Sequence, residues 1–354
     1  MKPLNRINDF VVSFATINGS GSASANNLFA RVVFRMGVPV SPKNIFPSNI
    51  QGLPTWYEVR VNENGYVGRR GDVDLMVAVN GQTLRRDYDS VVSGGYFVYD
   101  SSRPLPEDFQ REDVVTIGIP MTRLVTEAID NTKMRPLLRN IVYVGGLAAL
   151  LDMELDLFVD ALHRQYQKNE RLAEPNIRAL ELGYAYARKQ YPDTCQLKVQ
   201  PRDRIGDGIM MDGNTAMALG AIYGGATVVG WYPITPSTSI IEAFGNYTQE
   251  FRLEESGHCK AAIVQAEDEL AAIGIVIGAA WNGARAFTAT SGPGISLMAE
   301  FLGLAYFAEI PAVVIDVQRA GPSTGMPTRT QQSDILACAY ASHGDPKHPL
   351  LFPG

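Results

Sequence analysis

Cysteine is scarce in this chain of 354 residues: there are three, at positions 195, 259 and 338. They lie far apart, with no Cys-x-x-Cys pair and no Cys/His spacing of the kind that ligates zinc or an iron–sulfur cluster. Three reduced, mostly buried thiols are expected. Long apolar runs are also missing, since none reaches the roughly 18 residues a membrane helix needs. Positive charge is not in excess: 31 Lys and Arg face 37 Asp and Glu, for a net charge of −6 and a pI near 5.4. That excludes the basic stripe of a general nucleic-acid binder. The N-terminal MKPLNRINDF has neither the apolar centre nor the small-residue cleavage site of a secretory leader, so a cytoplasmic protein is expected. With 46% hydrophobic and 19% charged residues the chain is not disordered. Its 33 glycines and 21 prolines have no triplet period, which excludes collagen. What remains is an ordinary globular composition over about two domains' length.

The first half opens with an apolar run, Phe10 to Ile17, then the small-residue stretch 18–24 (NGSGSAS). Leu28, Val32 and Met36 recur at a spacing of four before Gly37. This predicts strand, glycine turn, helix and glycine stop. Further strands are expected at 56–61, 74–79, 95–99 and 114–119, and their alternation with helical patterns predicts a parallel α/β sheet. From about 121 to 190 the pattern is helical. Leu150, Met153, Leu157, Val159 and Leu162 fit one amphipathic helix, and residues 173–190 fit another. The stretch 191–208 (YPDTCQLKVQPRDRIGDG) is polar and aperiodic and marks the domain boundary. The expected division is a first domain over 1–195, a linker over 196–208 and a second domain over 209–354.

The second half restarts the alternation. Strands are expected at 226–231, 261–265, 284–290 and 312–317, with helices at 267–281 and 295–307. Their unbroken apolar character predicts a parallel sheet buried on both faces. Ligands of such sheets sit outside the carboxyl ends of the strands. The loops YPITPSTS (232–239), QAEDE (265–269), TSGPG (290–294) and QRAGPSTGMPT (318–328) all follow strands and should converge on one edge. The terminal LLFPG resembles a strand entering a further element, as if the chain were cut short.

Each motif has a plain alternative. The Gly19–Ser24 turn is either a simple tight turn or an anion or large-cofactor contact at a helix N-terminus. Ser24 stands where the dinucleotide fingerprint requires Gly or Ala, and Pro39, Val40 and Ser41 stand where its acidic ribose ligand belongs, which argues against NAD. Gly206-Asp207-Gly208 resembles the start of the diphosphate–magnesium motif of thiamine-dependent enzymes. The asparagine that completes it is replaced by Ile234 and Thr235, so the segment reads as linker. In YPITPSTS, two prolines stiffen a turn carrying Thr235, Ser237 and Thr238, suited to a carboxylate or to a helix cap. Glu267, Asp268 and Glu269 precede the apolar stretch LAAIGIVIGAAW. One or two of them suffice for the helix dipole. A carboxyl half-buried there favours its neutral form and can share a proton with a heteroaromatic nitrogen. Arg319 offers a bidentate fork for a carboxylate, or a solvated surface charge.

Together, and in this order, YPITPSTS, QAEDELAAIG, TATSGPGISLM and QRAGPSTGMPT resemble the alpha subunit of 2-oxoacid:ferredoxin oxidoreductases, in the form with a gamma domain fused ahead of the thiamine-pyrimidine domain. The resemblance covers the whole chain. It implies an N-terminal gamma-type α/β domain and a pyrimidine-binding α/β domain with a mainly parallel sheet. It implies decarboxylation of a 2-oxoacid on thiamine diphosphate, single-electron transfer to ferredoxin and acyl transfer to coenzyme A, or the reverse carboxylation. By matching motifs, Glu269 resembles the catalytic glutamate that hydrogen-bonds the aminopyrimidine ring. Tyr232, Pro233, Ser291 and Gly292 fall in cofactor-binding loops, and Thr235, Arg319 and Thr328 resemble substrate-pocket residues. No metal ligand is assigned to this chain. Magnesium, the [4Fe-4S] cluster and the diphosphate motif are implied to lie on a partner beta subunit, without which the chain is inactive. The fused form favours 2-oxoglutarate, although Gln51 stands where some relatives carry a Lys. Pyruvate or branched-chain 2-oxoacids are the alternatives, as are a nucleotide-binding protein and a non-catalytic scaffold.

Overall fold

The computed structural model describes residues 2–45, 51–167, 169–321, 323–324, 326, 331–342 and 349–352. The chain forms two compact units, Met1–Met210 and Met211–Gly354.

The first unit contains β1 (Arg6–Ile7), β2 (Asp9–Ile17), α1 (Ser22–Arg35), β3 (Val40–Ile45), β4 (Pro54–Asn62), β5 (Val73–Ala78), α2 (Leu84–Asp89), β6 (Val91–Asp100) and β7 (Val115–Ile119). These are followed by α3 (Met121–Ala128), α4 (Arg135–Leu150), α5 (Leu155–Gln165), α6 (Ala173–Gln190) and β8 (Leu197–Lys198). Six strands form one sheet in the order β3-β4-β2-β5-β6-β7. Phe10, Val12, Phe14, Val59, Val77, Tyr96 and Ile117 pack with α1, α4 and α6 in one continuous core. A smaller cluster around Met76, Tyr88 and Phe97 forms a second core.

The sheet is mixed rather than parallel. β4 runs antiparallel to both β2 and β3. A parallel neighbour needs a crossover of a dozen or more residues, and the connection from Ile45 to Pro54 is too short for one. β3 itself, with only half-buried and exposed residues, carries no apolar signal by which sequence could find it. The helix expected across residues 150–162 is broken. α4 ends at Leu150, Asp152 takes a left-handed φ of 60°, and α5 begins at Leu155. The apolar residues on either side of the break serve two helices.

α4 and α6 cross closely because glycines line the crossing. A Cβ at Gly145 would run into the carbonyl of Leu180, and one at Gly183 into the carbonyl of Val142. After α6 the chain stays with this unit. β8 pairs with β1, and the Arg202 N–H donates to the Met36 carbonyl at 2.8 Å.

The second unit contains α7 (Gly213–Tyr223), β9 (Val228–Trp231), α8 (Thr238–Phe251), β10 (Ala262–Gln265), α9 (Glu269–Trp281), β11 (Ala286–Thr290), α10 (Gly292–Phe307), β12 (Val313–Asp316) and α11 (Ile335–Ala339). The four strands form a wholly parallel sheet in the order β10-β9-β11-β12. The uniform burial expected of these strands holds only for β11. β10 is an apolar edge strand exposed along its length, although Ile263 packs close to Gly245 of α8. The expected loop over 291–294 is shorter than its glycines and proline imply, because α10 starts at Gly292 with Pro293 in its first turn. There a missing N–H costs nothing. Among the described residues no helix is long and apolar enough to cross a membrane.

Candidate active site at the carboxyl edge of the second sheet

Parallel strands deliver all their following loops to one edge. The loops after β9, β10, β11 and β12 meet there, and the acidic cluster after β10 divides its labour. Asp268 is the cap of α9: its Oδ1 accepts from the Ala271 N–H at 2.7 Å. Glu267 and Asp268 are exposed. Glu269 is 3% exposed, and its Oε1 has no hydrogen-bond partner among the described residues. An unpaired buried carboxylate oxygen costs the fold free energy, so its retention calls for a ligand.

Polar atoms of the same kind surround it. Among the described residues the hydroxyls of Thr290 and Ser291 are buried and unpartnered, as is Nε of Arg319. Gly294, in the first turn of α10, lets this cluster close: a Cβ there would strike the Thr290 hydroxyl and lie 3.2 Å from Cγ of Glu269. Glu269 stands at the positive end of α9, whose first-turn N–H groups favour a negative charge.

Arg319 is 3% exposed and its fork is largely committed. Nη1 donates to the Thr235 carbonyl at 2.9 Å, and Nη2 to the carbonyls of Ser323 at 3.0 Å and Thr324 at 2.9 Å. Burial lowers its pKa, opposed by the charges of Asp334 and Glu269. The arginine therefore ties the loop after β9 to the loop after β12, with Nε and one Nη1 hydrogen left without a partner among the described residues. The Thr235–Pro236 peptide is cis. Ser237 closes this turn by donating its hydroxyl to the Ile234 carbonyl, and Thr235 is half-buried.

Of the expected site residues, Glu269, Thr235, Arg319, Ser291 and Gly292 are brought to one place. Tyr232, half-buried, and Pro233, exposed, begin the same turn as Thr235. Thr328 lies outside the described residues. Sequence reading misses Thr290 and Asp334. Asp334 accepts the Arg319 N–H at 3.0 Å, and its carboxyl fills the space where Gly292 has no side chain. It also misses Asp316, whose carboxyl burial pushes up to about 6. The Cys338 thiol, 3.3 Å away, opposes that rise and the Asp334 charge adds to it. A strand-end aspartate gives no sequence signal of this kind.

A cavity of about 270 Å³, lined mainly by polar residues and glycines, lies in the first unit at the turn between β2 and α1. Gly19 and Gly21 adopt φ of 80° and 74°, which the turn requires. Neither a capping side chain nor an acidic residue occupies the first turn of α1. Asn26, fully buried, lines the cavity with its Nδ2 unpartnered among the described residues, while its Oδ1 accepts from the Tyr143 hydroxyl at 2.7 Å. Gln51 borders this turn, its Cγ 2.7 Å from where a Gly19 Cβ would stand.

A parallel sheet with a buried, unpaired carboxylate and a loop-clamping arginine at its carboxyl edge defines a cofactor-type α/β unit, joined here to a second α/β unit. Comparison with known proteins makes the class specific. Residues 219–353 match the family described as pyruvate flavodoxin/ferredoxin oxidoreductase, thiamine diP-bdg, and residues 11–186 match pyruvate ferredoxin/flavodoxin oxidoreductase. The chain is 31% identical to 2-oxoacid:ferredoxin oxidoreductase 2, subunit alpha, of Aeropyrum pernix, across 95% of this chain and 59% of that protein. It is 50% identical over 143 residues to the 2-oxoglutarate synthase subunit KorA of Methanocaldococcus jannaschii, covering 40% of this chain and 37% of that one. The solved structure of 2-oxoglutarate:ferredoxin oxidoreductase from Magnetococcus marinus, with 2-oxoglutarate, coenzyme A and succinyl-CoA bound, superposes with a TM-score of 0.83 at 33% identity, covering 96% of this chain and 57% of that one. The chain belongs to the 2-oxoacid:ferredoxin oxidoreductase alpha-subunit family. It spans less than two thirds of the length of the curated relatives it matches.

Proposed function

We propose that this chain is the alpha subunit of a cytoplasmic 2-oxoacid:ferredoxin oxidoreductase whose second unit holds the pyrimidine end of thiamine diphosphate. The observation that carries the proposal is the buried Glu269, whose Oε1 has no partner among the described residues, set beside the hydroxyls of Thr290 and Ser291, likewise without partners there. These donors and acceptors fit a planar heteroaromatic ring that needs one carboxyl for a ring nitrogen and small, shape-giving neighbours elsewhere. When bound, the cofactor supplies a nucleophilic carbon and an electron sink for decarboxylation. Glu269 holds or shares a proton at Oε1. Ser291 and Gly292 line the approach, and Tyr232 and Pro233 shape the turn on the other side. Thr235 and the remaining Nε–H of Arg319 face the 2-oxoacid with neutral and charged donors, and Thr328 is assigned to the same pocket by its motif. A buried charged donor to a carboxylate is stronger than an exposed one.

Magnesium, the diphosphate motif and a [4Fe-4S] cluster are assigned to a partner beta subunit, since this chain has three scattered cysteines and an incomplete GDG motif. Ferredoxin receives the electrons and coenzyme A the acyl group. The favoured substrate is 2-oxoglutarate, in keeping with the names of the KorA relative and of the superposed structure. The neutral cavity at the Gly19–Ser24 turn, with the first-turn N–H groups of α1, is assigned to a phosphate-bearing part of coenzyme A. In the reconstituted complex, Glu269→Gln should remove most 2-oxoacid-dependent reduction of a viologen dye, a loss of about 10²–10⁴-fold. Unchanged turnover would refute the assignment.

A further inference from the structure

We propose that Asp334 is a positioning residue that sets the Arg319 clamp and, through it, the Thr235 turn. Its ordinary explanation would be a cap for α11, which it precedes, but its side chain makes no cap hydrogen bond to that helix. The carboxyl is instead turned to two other elements. Oδ2 accepts the Arg319 N–H at 3.0 Å, and Oδ1 occupies the space left by the missing side chain of Gly292 at the start of α10. The residue is held there from behind. Its own N–H donates to Oε1 of Gln318 at 3.2 Å, and the neighbouring Ser333 hydroxyl donates to the Arg319 carbonyl at 2.9 Å.

The consequence runs through Arg319. A guanidinium fork holds carbonyls only if its backbone is fixed, because three or four side-chain torsions otherwise dilute each bond with rotamer entropy. Asp334 fixes that backbone at the Arg319 N–H, and the neighbouring Ser333 hydroxyl holds the Arg319 carbonyl. The fork then reaches across to the Thr235 carbonyl at 2.9 Å. One buried carboxylate therefore joins α10 to the loops after β12 and β9, the segments in which Ser291, Arg319 and Thr235 lie. Asp334 itself touches none of the reacting atoms.

The test uses the full chain with its partner subunit and two readouts, of which only the second rests on the proposed function. The first is hydrogen exchange at Ser237 and Thr238, whose N–H groups donate to the Ile234 carbonyl and report on the closed turn. Asp334→Ala should speed exchange there roughly tenfold, the scale of losing one charge-assisted hydrogen bond. Exchange in α4 and α6 should not change. Asp334→Asn, whose amide oxygen still accepts the Arg319 N–H, should restore most of the protection. Arg319→Lys, which keeps charge but loses the fork, should loosen the turn as Asp334→Ala does. The second readout is kinetic: Asp334→Ala should raise KM for the 2-oxoacid about tenfold or more while kcat and thiamine diphosphate affinity change less. Unaltered exchange at Ser237 and Thr238, or an equal increase throughout the second unit, would overturn the positioning role even if the chemistry is correct. If instead Glu269→Gln leaves turnover intact while the exchange results stand, the proposed reaction fails and the clamp survives.

Discussion

A single side chain decides most of the chemistry assigned here. Glu269 is legible in sequence because three acids before an apolar helix are more than a cap requires, and the structure shows Asp268 taking the cap and Glu269 being buried. The partners of the Arg319 guanidinium are not legible, because all three are main-chain carbonyls and every residue type offers the same one. Thr290 is hidden for a related reason: a buried threonine in a strand looks like any β-branched residue until its hydroxyl is found without a partner. Gly294 gives a direct check on the closeness of these groups. A methyl at Gly294→Ala would meet the Thr290 hydroxyl and crowd Glu269. It should therefore cut turnover in the reconstituted complex by about tenfold or more, while the second unit loses only the stability expected for overpacking, about 1–3 kcal/mol in a denaturant titration. Equal turnover in the Ala variant would place the cofactor elsewhere.

Asp316 makes a pH-dependent case at the same scale. Its folded pKa, near 6, lies above the ordinary aspartate value of about 3.9. Below roughly pH 4 the carboxyl is protonated in folded and unfolded chains alike, so it adds no penalty. As pH rises through 6 the folded state must give up a proton it holds more tightly than the unfolded state does, and stability falls. A rise of that size is worth at most about 2–3 kcal/mol, and partial exposure reduces this to the order of 1–2 kcal/mol. Asp316→Asn keeps an acceptor for the Cys338 thiol and removes the charge. Thermal melts should show it more stable than the parent at pH 8 and indistinguishable at pH 4. A difference that does not change with pH would contradict the assignment.

At the scale of elements, what sequence carries is periodicity, and what it omits is direction and packing distance. The strand β2, the helix α6 and all four strands of the second sheet fall close to where apolar runs put them. The antiparallel course of β4 follows from a short connection, which sequence shows only once both strands are known. The break between α4 and α5 interrupts a run of residues that still fits one helical period. The α4–α6 crossing is another case, since glycine in a helix reads as a weakness. Replacing Gly183 by Ala should gain up to about 1 kcal/mol of helix propensity. The added methyl has no room against the Val142 carbonyl, and overpacking of a close backbone contact costs typically about 1–3 kcal/mol. The steric cost is the larger, so Gly183→Ala should lower the first unit's denaturation midpoint. A raised midpoint would mean that the helices are further apart than described.

For the molecule as a whole, the two units differ in how well each closes its own core. The first has one large continuous cluster joining its sheet to α1, α4, α5 and α6. Among the described residues the second has two small clusters, and it leaves apolar residues in water on several elements: Trp281 at 61%, Phe307 at 70%, and Ile263 and Val264 on the exposed edge strand β10. Hydrophobic stabilisation scales with apolar area removed from water, about 25 cal/mol per Å², so the second unit holds the smaller share. Local opening is cheapest where apolar contacts are fewest. Heated alone, the chain should lose the amide protection of α9 and α10 before that of α4 and α6. A partner that binds only the folded second unit should raise its transition by mass action, about 2.7 kcal/mol at a hundred times its dissociation constant, and leave the first unit's transition where it was. Calorimetry of the chain with and without the partner subunit separates these cases. One cooperative transition, shifted as a whole by the partner, would mean that the two units stand or fall together and that the open apolar surface of the second is no sign of a missing neighbour.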